Sequence, residues 1–481
     1  MIKKLIDQYK NLKAPVKASL WFLICGFLQK GVAVLTTPVF SRIMTESEYG
    51  RFNVYNSWLG IVQILVSLNL TGSVYTRGLV VYEQDQNRFA SSLQGLSTTC
   101  ILIASVLYAI FAQQINDLLG ISTLLMTAML VEAWASMAYY FWSNRERVHY
   151  RYKKMVWVTV LFVILRPLMG IIFVLLADVN CQVEARVLAV VGVNFLLFVW
   201  LYRAVARKGK CFYHKKYWKY ALKFNIPLLP HYLAENVLSQ SDRLMIDRIL
   251  GSRETAYYSL AYTIAVVMVI LNNAILSTLN PWIYQTLKKN QVNRVGSVLY
   301  GVLLLVGGAN LCVILIAPEF LQIMAPPTYQ AALWVIPPVT VSVYFMFMYN
   351  IFTTFEYYYA KTYYVSVSTI LGAGLNVLLN AVLIPQYGFV AAGYTTLLCY
   401  ILYAVVHYFI LRKICKENMN EGMPFKASKI VIMSLGMLVI AFGIMLLYKT
   451  TLIRYAMLLA IGIFAIIKRR TLMDLWHRIK Q

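Results

Sequence analysis

Long apolar stretches fill this chain, and the segments joining them alternate between strongly basic and nearly free of Lys and Arg, from the first residue to the last. Crossing a hydrocarbon core of about 30 Å takes roughly 20 residues of helix at 1.5 Å rise each. Fourteen stretches meet that need, at approximately 16–40, 54–76, 92–113, 118–142, 155–178, 185–205, 222–247, 256–283, 295–317, 330–354, 362–384, 390–411, 427–448 and 452–467. The pattern predicts an all-α integral membrane protein.

Orientation follows from where the cations lie, because basic loops are retained on the cytoplasmic side. The basic set comprises Lys3, Lys4, Lys10, Lys13 and Lys17, then Arg145–Lys154, Arg203–Lys223, Lys288–Arg294, Arg412–Lys429, and finally Lys468, Arg469 and Arg470. The opposite loops, such as Asn116-Asp117, Pro318–Pro327 and Pro385-Gln386, carry almost none. Both termini are therefore expected in the cytoplasm, with the chain in the inner membrane. Retention signals and contact with anionic headgroups account for the net charge of +25, so no nucleic-acid partner is implied. A hydrophobic content of 60% excludes a soluble domain of this length.

The seven Cys stand singly, in neither metal-ligand nor disulfide spacing, and read as small apolar side chains. No cleavable signal peptide is expected, since the charged first 15 residues lead into an apolar run long enough to span. Ile2, Leu5, Ile6, Tyr9 and Leu12 recur at helical spacing, as do Leu472, Leu475, Trp476 and Ile479, so both ends are expected to lie along the headgroups as amphipathic helices.

The chain also repeats itself weakly. Ser41-Arg42-Ile43-Met44-Thr45-Glu46-Ser47-Glu48 lies on Asp247-Arg248-Ile249-Leu250-Gly251-Ser252-Arg253-Glu254 at one offset, and the same offset sets the turn at Asp178-Val179-Asn180 over that at Pro385-Gln386. Two six-span lobes related by an axis along the membrane normal, followed by two extra spans, is the economical account. It gives an N-terminal lobe over 1–205, a basic cytoplasmic linker over 206–221, a C-terminal lobe over 222–412, and a tail of two spans with a basic amphipathic end over 413–481.

Ionisable groups at membrane depth cost several kcal/mol on insertion scales unless they meet a wet cavity or a partner. Lys30, Glu132 and Arg166 fall inside apolar stretches, Arg77 falls at the inner end of the second, and His231, Glu235, Asp242 and Arg243 crowd the seventh. His231, Glu235 and Asp242 share one face within about 40°, with Arg243 beside them, and Pro227 and Pro230 can bend the helix ahead of them. Lys30 and Arg166 lie too deep to reach either surface easily, and Pro167 loosens the backbone beside Arg166. A guanidinium in such a place suits phosphate or carboxylate, although an ion pair with Glu132 would also explain it. The clusters Tyr139-Tyr140-Phe141-Trp142 and Tyr357-Tyr358-Tyr359 fit interfacial belts, and the same rings could stack on sugars. Nucleotide-binding and metal-ligand motifs are absent.

Several motifs together resemble the polysaccharide-unit flippases of the Wzx or polysaccharide-transporter type, in the superfamily that also holds MATE-type multidrug exporters and lipid II flippases. They are Thr36-Thr37-Pro38 with Ser41-Arg42-Ile43-Met44 and Glu48-Tyr49-Gly50-Arg51-Phe52, then Asp242-Arg243, Asp247-Arg248 and Tyr257-Tyr258-Ser259, and Pro385-Gln386-Tyr387-Gly388. One departure is Ala256, which stands where the first lobe has Gly50.

The resemblance implies a twelve-helix core and passage of an undecaprenyl-pyrophosphate-linked oligosaccharide to the outer leaflet, for a capsule or O-antigen type of polymer. A polysaccharide polymerase and chain-length machinery would be its partners alongside membrane lipid. On that reading Arg166, Lys30 and Arg243, with Arg77 and His231, hold pyrophosphate or sugar. Glu235, Asp242 and Glu132 serve as counter-ions or couple transport to a proton or sodium gradient, with no cofactor. A cation-coupled drug or metabolite antiporter of the same fold, or a multispan polymerase or acyltransferase, are the alternatives.

Overall fold

The computed structural model describes residues 14–419 and 422–468, so both expected amphipathic ends lie outside the described residues. Among the described residues there is no strand, and eighteen α-helices follow one another. They are α1 (Ala14–Ile43), α2 (Glu46–Ser67), α3 (Ser73–Val81), α4 (Gln86–Ile110), α5 (Ala112–Leu119), α6 (Thr123–Val148), α7 (Tyr152–Leu176), α8 (Gln182–Gly209) and α9 (Lys215–Asn225). There follow α10 (Leu229–Ile249), α11 (Ser252–Lys288), α12 (Val292–Leu315), α13 (Ala317–Met324), α14 (Ile336–Tyr358), α15 (Thr362–Tyr387), α16 (Val390–Asn418), α17 (Ala427–Leu446) and α18 (Thr451–Ile467).

Eleven of these helices are long and apolar enough to cross a membrane. The other three expected spans are helical but fall short: α2 carries many polar positions, α10 holds six ionisable side chains, and α18 has 17 residues.

Two spans expected to be continuous are broken. The second ends at Ser67, where Leu68 and Asn69 both turn left-handed at φ 51°, and resumes as α3. A break at this point frees carbonyls that lipid cannot satisfy. Side-chain amides take them: Asn144 Nδ2 donates to the Thr71 carbonyl at 2.8 Å and Asn225 Nδ2 to that of Leu68. The seventh begins as α9, passes through a 3₁₀ turn at Ile226–Leu228 that holds Pro227, and restarts as α10 with Pro230 in its first turn, where a missing N–H costs nothing.

By internal contacts the chain divides between Leu244 and Met245. The repeat leads one to expect a change of lobe at 206–221, whereas contact carries the first unit on through most of α10, where Ser57 Oγ donates to Gln240 Oε1 at 3.1 Å and Gly60 lies against Asn236. In the first unit α6, α7 and α8 pack together, with α1 on α7 and α4 on α8. In the second, α14 is buried along most of its length against α16, α11 and α12.

The repeated motif marks equivalent corners. α1 ends at Ile43 and α2 starts at Glu46; α10 ends at Ile249 and α11 starts at Ser252, the same separation on in each case. The first corner is capped by Thr45, whose hydroxyl accepts from Glu48 N. The second turns on Gly251 at φ +111°, a backbone angle that favours glycine. Gly50 and Ala256 both sit inside helices, so their difference affects no turn. The other expected turn moves: Pro385 lies within α15, and the chain reverses at Gly388, φ +75°.

Around Arg51 a network ties this corner to the first turn of α8. Its guanidinium donates to Glu48 Oε1 at 2.6 Å and Glu184 Oε1 at 2.9 Å, and Glu48 Oε2 accepts from Val183 N. Arg186 is stacked between Phe40 and Phe52, 3.4 and 3.5 Å from the ring centroids.

The last two helices belong to the second unit, packed on α12. Arg454, 1% exposed, fastens α18 there. It donates to the Leu315 carbonyl and makes a two-pronged pair with Glu319, at 2.7 and 2.8 Å, while Tyr455 OH donates to the same carboxylate. Those hydrogen bonds from Arg454 hold the Glu319 carboxyl below its ordinary value of 4.5. The unfolded chain therefore takes up the proton first as pH falls, so the stabilisation is full above about pH 4.5 and is lost as pH drops through the lowered folded value. Glu319→Gln should lower stability at pH 7 by roughly 2 kcal/mol and flatten its acid dependence. Thermal melts of the purified protein between pH 7 and pH 4 check this, and parallel wild-type and variant curves would refute it.

Candidate functional site

Within the first unit, α1, α6, α7 and α8 enclose a cavity of about 310 Å³ lined by Gln29, Lys30, Val32, Ser136, Tyr139, Tyr140, Phe162, Val163, Arg166 and Phe198. It gathers two of the deep cations expected from sequence, Lys30 from α1 and Arg166 from α7. Pro167, one residue beyond Arg166, lacks the N–H that would bond the Val163 carbonyl, so the helix is loosened where it lines the cavity.

Arg166 reaches Glu132 through an intermediary, not as the direct pair considered from sequence. Its Nε donates to Asn194 Oδ1 at 2.5 Å, Asn194 Nδ2 donates to Glu132 Oε1 at 3.3 Å, and Tyr55 OH donates to Glu132 Oε2 at 3.0 Å. Asn194, Tyr55 and Glu132 are all buried. The arrangement matters because a guanidinium has five N–H donors, and a facing carboxylate takes the fork of two. The amide takes Nε alone, leaving the terminal nitrogens for the cavity. The Phe162 ring, 4.9 Å from the Arg166 Cζ, supports the charge from the side.

The aromatic run Tyr139-Tyr140-Phe141-Trp142 is not a lipid belt here. Phe141 and Trp142 are buried, while Tyr139 and Tyr140 line the cavity. Tyr139 OH accepts from Gln29 Nε2 at 2.7 Å and bonds the Thr159 hydroxyl at 3.1 Å, and its ring packs on Phe162 and Phe198. Tyr140 keeps 42% of its surface exposed. The chamber thus pairs two cations with a fixed phenol and a free one, and no carboxylate lines it. Such a set can hold an anion and stack an adjacent ring.

The remaining expected residues lie elsewhere. Arg77 is exposed on α3, its guanidinium 5.3 Å from the Phe224 ring. Arg243 donates to the Ser239 carbonyl and, at 2.9 Å, to Gln240 Oε1 on its own helix. The polar face of α10 is graded: Asp242 is buried, His231 half-buried with Nδ1 unpartnered, and Glu235 exposed. None of these lines the cavity.

Sequence reasoning missed Asn194, which a search confined to ionisable groups does not see. It also missed a pair in the second unit, Glu356 of α14 and His407 of α16, both almost wholly buried with His407 Nδ1 at 2.6 Å from Glu356 Oε1. Tyr349 and Tyr403 stack on that imidazole. A lone His inside an apolar stretch was the available signal.

If this cavity is an anion site, Arg166→Gln and Lys30→Gln should each weaken binding of inorganic pyrophosphate by about tenfold, the worth of one charge-assisted hydrogen bond, and Asn194→Leu should do the same without touching the ligand. Calorimetric titration of the purified protein measures this; unaltered affinity would remove these residues from the site.

Comparison with known proteins gives three findings. The family described as "Polysaccharide biosynthesis protein" matches residues 16–287. A protein named for the Lsg locus of Haemophilus influenzae is 24% identical over 286 residues, 57% of this chain and 67% of its own. The fold is similar to that of the lipid II flippase MurJ in an inward closed conformation (TM-score 0.72, 14% identity, 94% of this chain and all of that one) and to the Vibrio cholerae MATE transporter VcmN (TM-score 0.58, 12% identity, 84% and 97%).

Proposed function

We propose that this chain, which belongs to the polysaccharide biosynthesis protein family, is a flippase that carries a polyprenyl-pyrophosphate-linked oligosaccharide across the bacterial inner membrane by alternating access. The observation that carries the reading is the chamber of the first unit, where Arg166 and Lys30 converge beside Tyr139 and Tyr140. Pyrophosphate is an anion with paired oxygens, which a guanidinium fork fits, and sugars present faces on which phenol rings stack. The MurJ-like fold supports a lipid-linked cargo.

A cationic drug would want an acidic chamber, and this one has cations on its wall, which favours the flippase over an antiporter of the same fold. Lys30 and Arg166 hold the pyrophosphate in this proposal. Arg243, Arg77 and His231 stand outside that chamber, where they would meet the cargo only elsewhere along its route. Glu132 steadies Arg166 through Asn194, and Glu235 and Asp242, which lie outside the chamber, couple movement to protons or sodium in this reading. The distribution of basic segments supports cytoplasmic termini.

The test places the lipid-linked oligosaccharide in cells lacking this gene, by its accessibility to a glycan-modifying reagent added from outside. Complete units that accumulate and stay inaccessible are the expected result, and Lys30→Gln with Arg166→Gln should fail to restore surface polymer while remaining in the membrane at wild-type abundance. Units that reach the outer face unpolymerised would assign the chain to a later, polymerising step.

A further inference from the structure

The basic segment between α8 and α10 looks, in sequence, like a solvated tether. It is instead docked backbone to backbone on α4. A Cβ on Gly209 would meet the Asn87 carbonyl oxygen at 2.1 Å, and one on Gly95 would meet that of Phe212 at the same distance, so both approaches depend on glycine. Trp218 Nε1 donates to the Ser92 carbonyl at 2.9 Å and Tyr217 OH to Asp85 Oδ2 at 3.0 Å. Tyr217 also packs on Tyr82 and Phe89.

That docking fixes which face of α9 looks outward. Tyr217, Ala221 and Asn225 are buried. Lys215, Lys216, Lys219 and Lys223 fall within about 100° of one another around the helix, on the opposite side, and all four are exposed. Lys216 also stands 5.4 Å from the Tyr82 ring; none of the four joins an ion pair among the described residues. Just ahead of the helix, Phe212 and Tyr213 leave 55% and 59% of their surface exposed.

Depth decides what such a face can meet. α8 emerges from an apolar stretch directly into this segment, and only the 3₁₀ turn at Ile226–Leu228 separates α9 from α10. The lysine face is therefore kept at the level of the headgroups, where exposed rings are at home and free-standing cations meet phosphate.

We infer that the Lys215, Lys216, Lys219 and Lys223 face of α9, with Phe212 and Tyr213, is a binding surface for the headgroups of anionic phospholipids. In the orientation given by the loop charges these are lipids of the cytoplasmic leaflet. The lysines hold the phosphates while the two rings enter the acyl boundary beside them. An acidic protein would match the charge but has no use for two exposed rings at this depth. The surface is separate from the Lys30 and Arg166 chamber, and the inference stands whatever that chamber carries.

Hydrogen exchange of the full-length protein tests it, comparing phosphatidylglycerol with phosphatidylcholine vesicles. Residues 212–225 should exchange at least about tenfold more slowly in phosphatidylglycerol, and 0.5 M salt should erase the difference. Replacing all four lysines by Gln should abolish it and replacing them by Arg should preserve it, while exchange elsewhere reports that both variants are folded. Phe212→Ser with Tyr213→Ser should reduce protection in both vesicles and leave the charge-dependent part. Equal exchange in the two lipids, or a difference that survives the Gln variant, would overturn the proposal; in the first case an acidic soluble partner becomes the occupant to seek.

Discussion

A guanidinium in the middle of an apolar helix is tolerable only if something answers it, and in the first unit the answer is an amide. Asn194 accepts from Arg166 Nε and passes the interaction to Glu132, which Tyr55 holds from the other side. The chain of bonds draws on α2, α6, α7 and α8 at once, so three of the four helices that wall the chamber also support its cation. Removing a partner from such a buried network leaves a polar group with neither water nor protein to satisfy it, which costs more than the bond itself contributes.

The second unit meets the same constraint with different chemistry. Arg454 is answered directly by Glu319 and by the Leu315 carbonyl, so its two terminal nitrogens are taken up and it serves to dock α18. Glu356 and His407 answer each other at 2.6 Å under a cover of tyrosine rings. The contrast separates two kinds of buried charge. Where a carboxylate faces the cation the site is closed, and where an amide stands between them the cation keeps donors to offer.

Much of this was legible in the residues. Apolar length alone places the helices, because a backbone in lipid has few other ways to satisfy itself. The repeated motif around Ser41 and Asp247 correctly anticipates where two pairs of helices meet, since capping and turn chemistry are local. The breaks at Leu68-Asn69 and at Ile226–Leu228 were not legible: the first is stabilised by amides from Asn144 and Asn225, far along the chain, and hydropathy does not register them. Depth singled out Lys30 and Arg166, and the fold brought them to one chamber. Arg243 it leaves outside that chamber, bonded to Ser239 and Gln240 of its own helix. Asn194 escaped because it bears no charge, although a buried amide among apolar neighbours asks for a partner as firmly as a carboxylate does.

The indirect link between Arg166 and Glu132 also bears on what the proposed carrier of a pyrophosphate-linked cargo needs. A cation with no acid near it would grip a pyrophosphate and release it slowly, while one paired face to face with a carboxylate would have its fork filled before the cargo arrived. With Asn194 between them, Glu132 orients the guanidinium through Nε from two hydrogen bonds away, and Arg166 still lines the space that Lys30, Tyr139 and Tyr140 share. Binding that is adequate but reversible is the requirement for any site that must load on one side and empty on the other. Substituting the amide by a carboxylate would satisfy the buried charge more fully and serve transport less well, because the added stability would belong to the empty state.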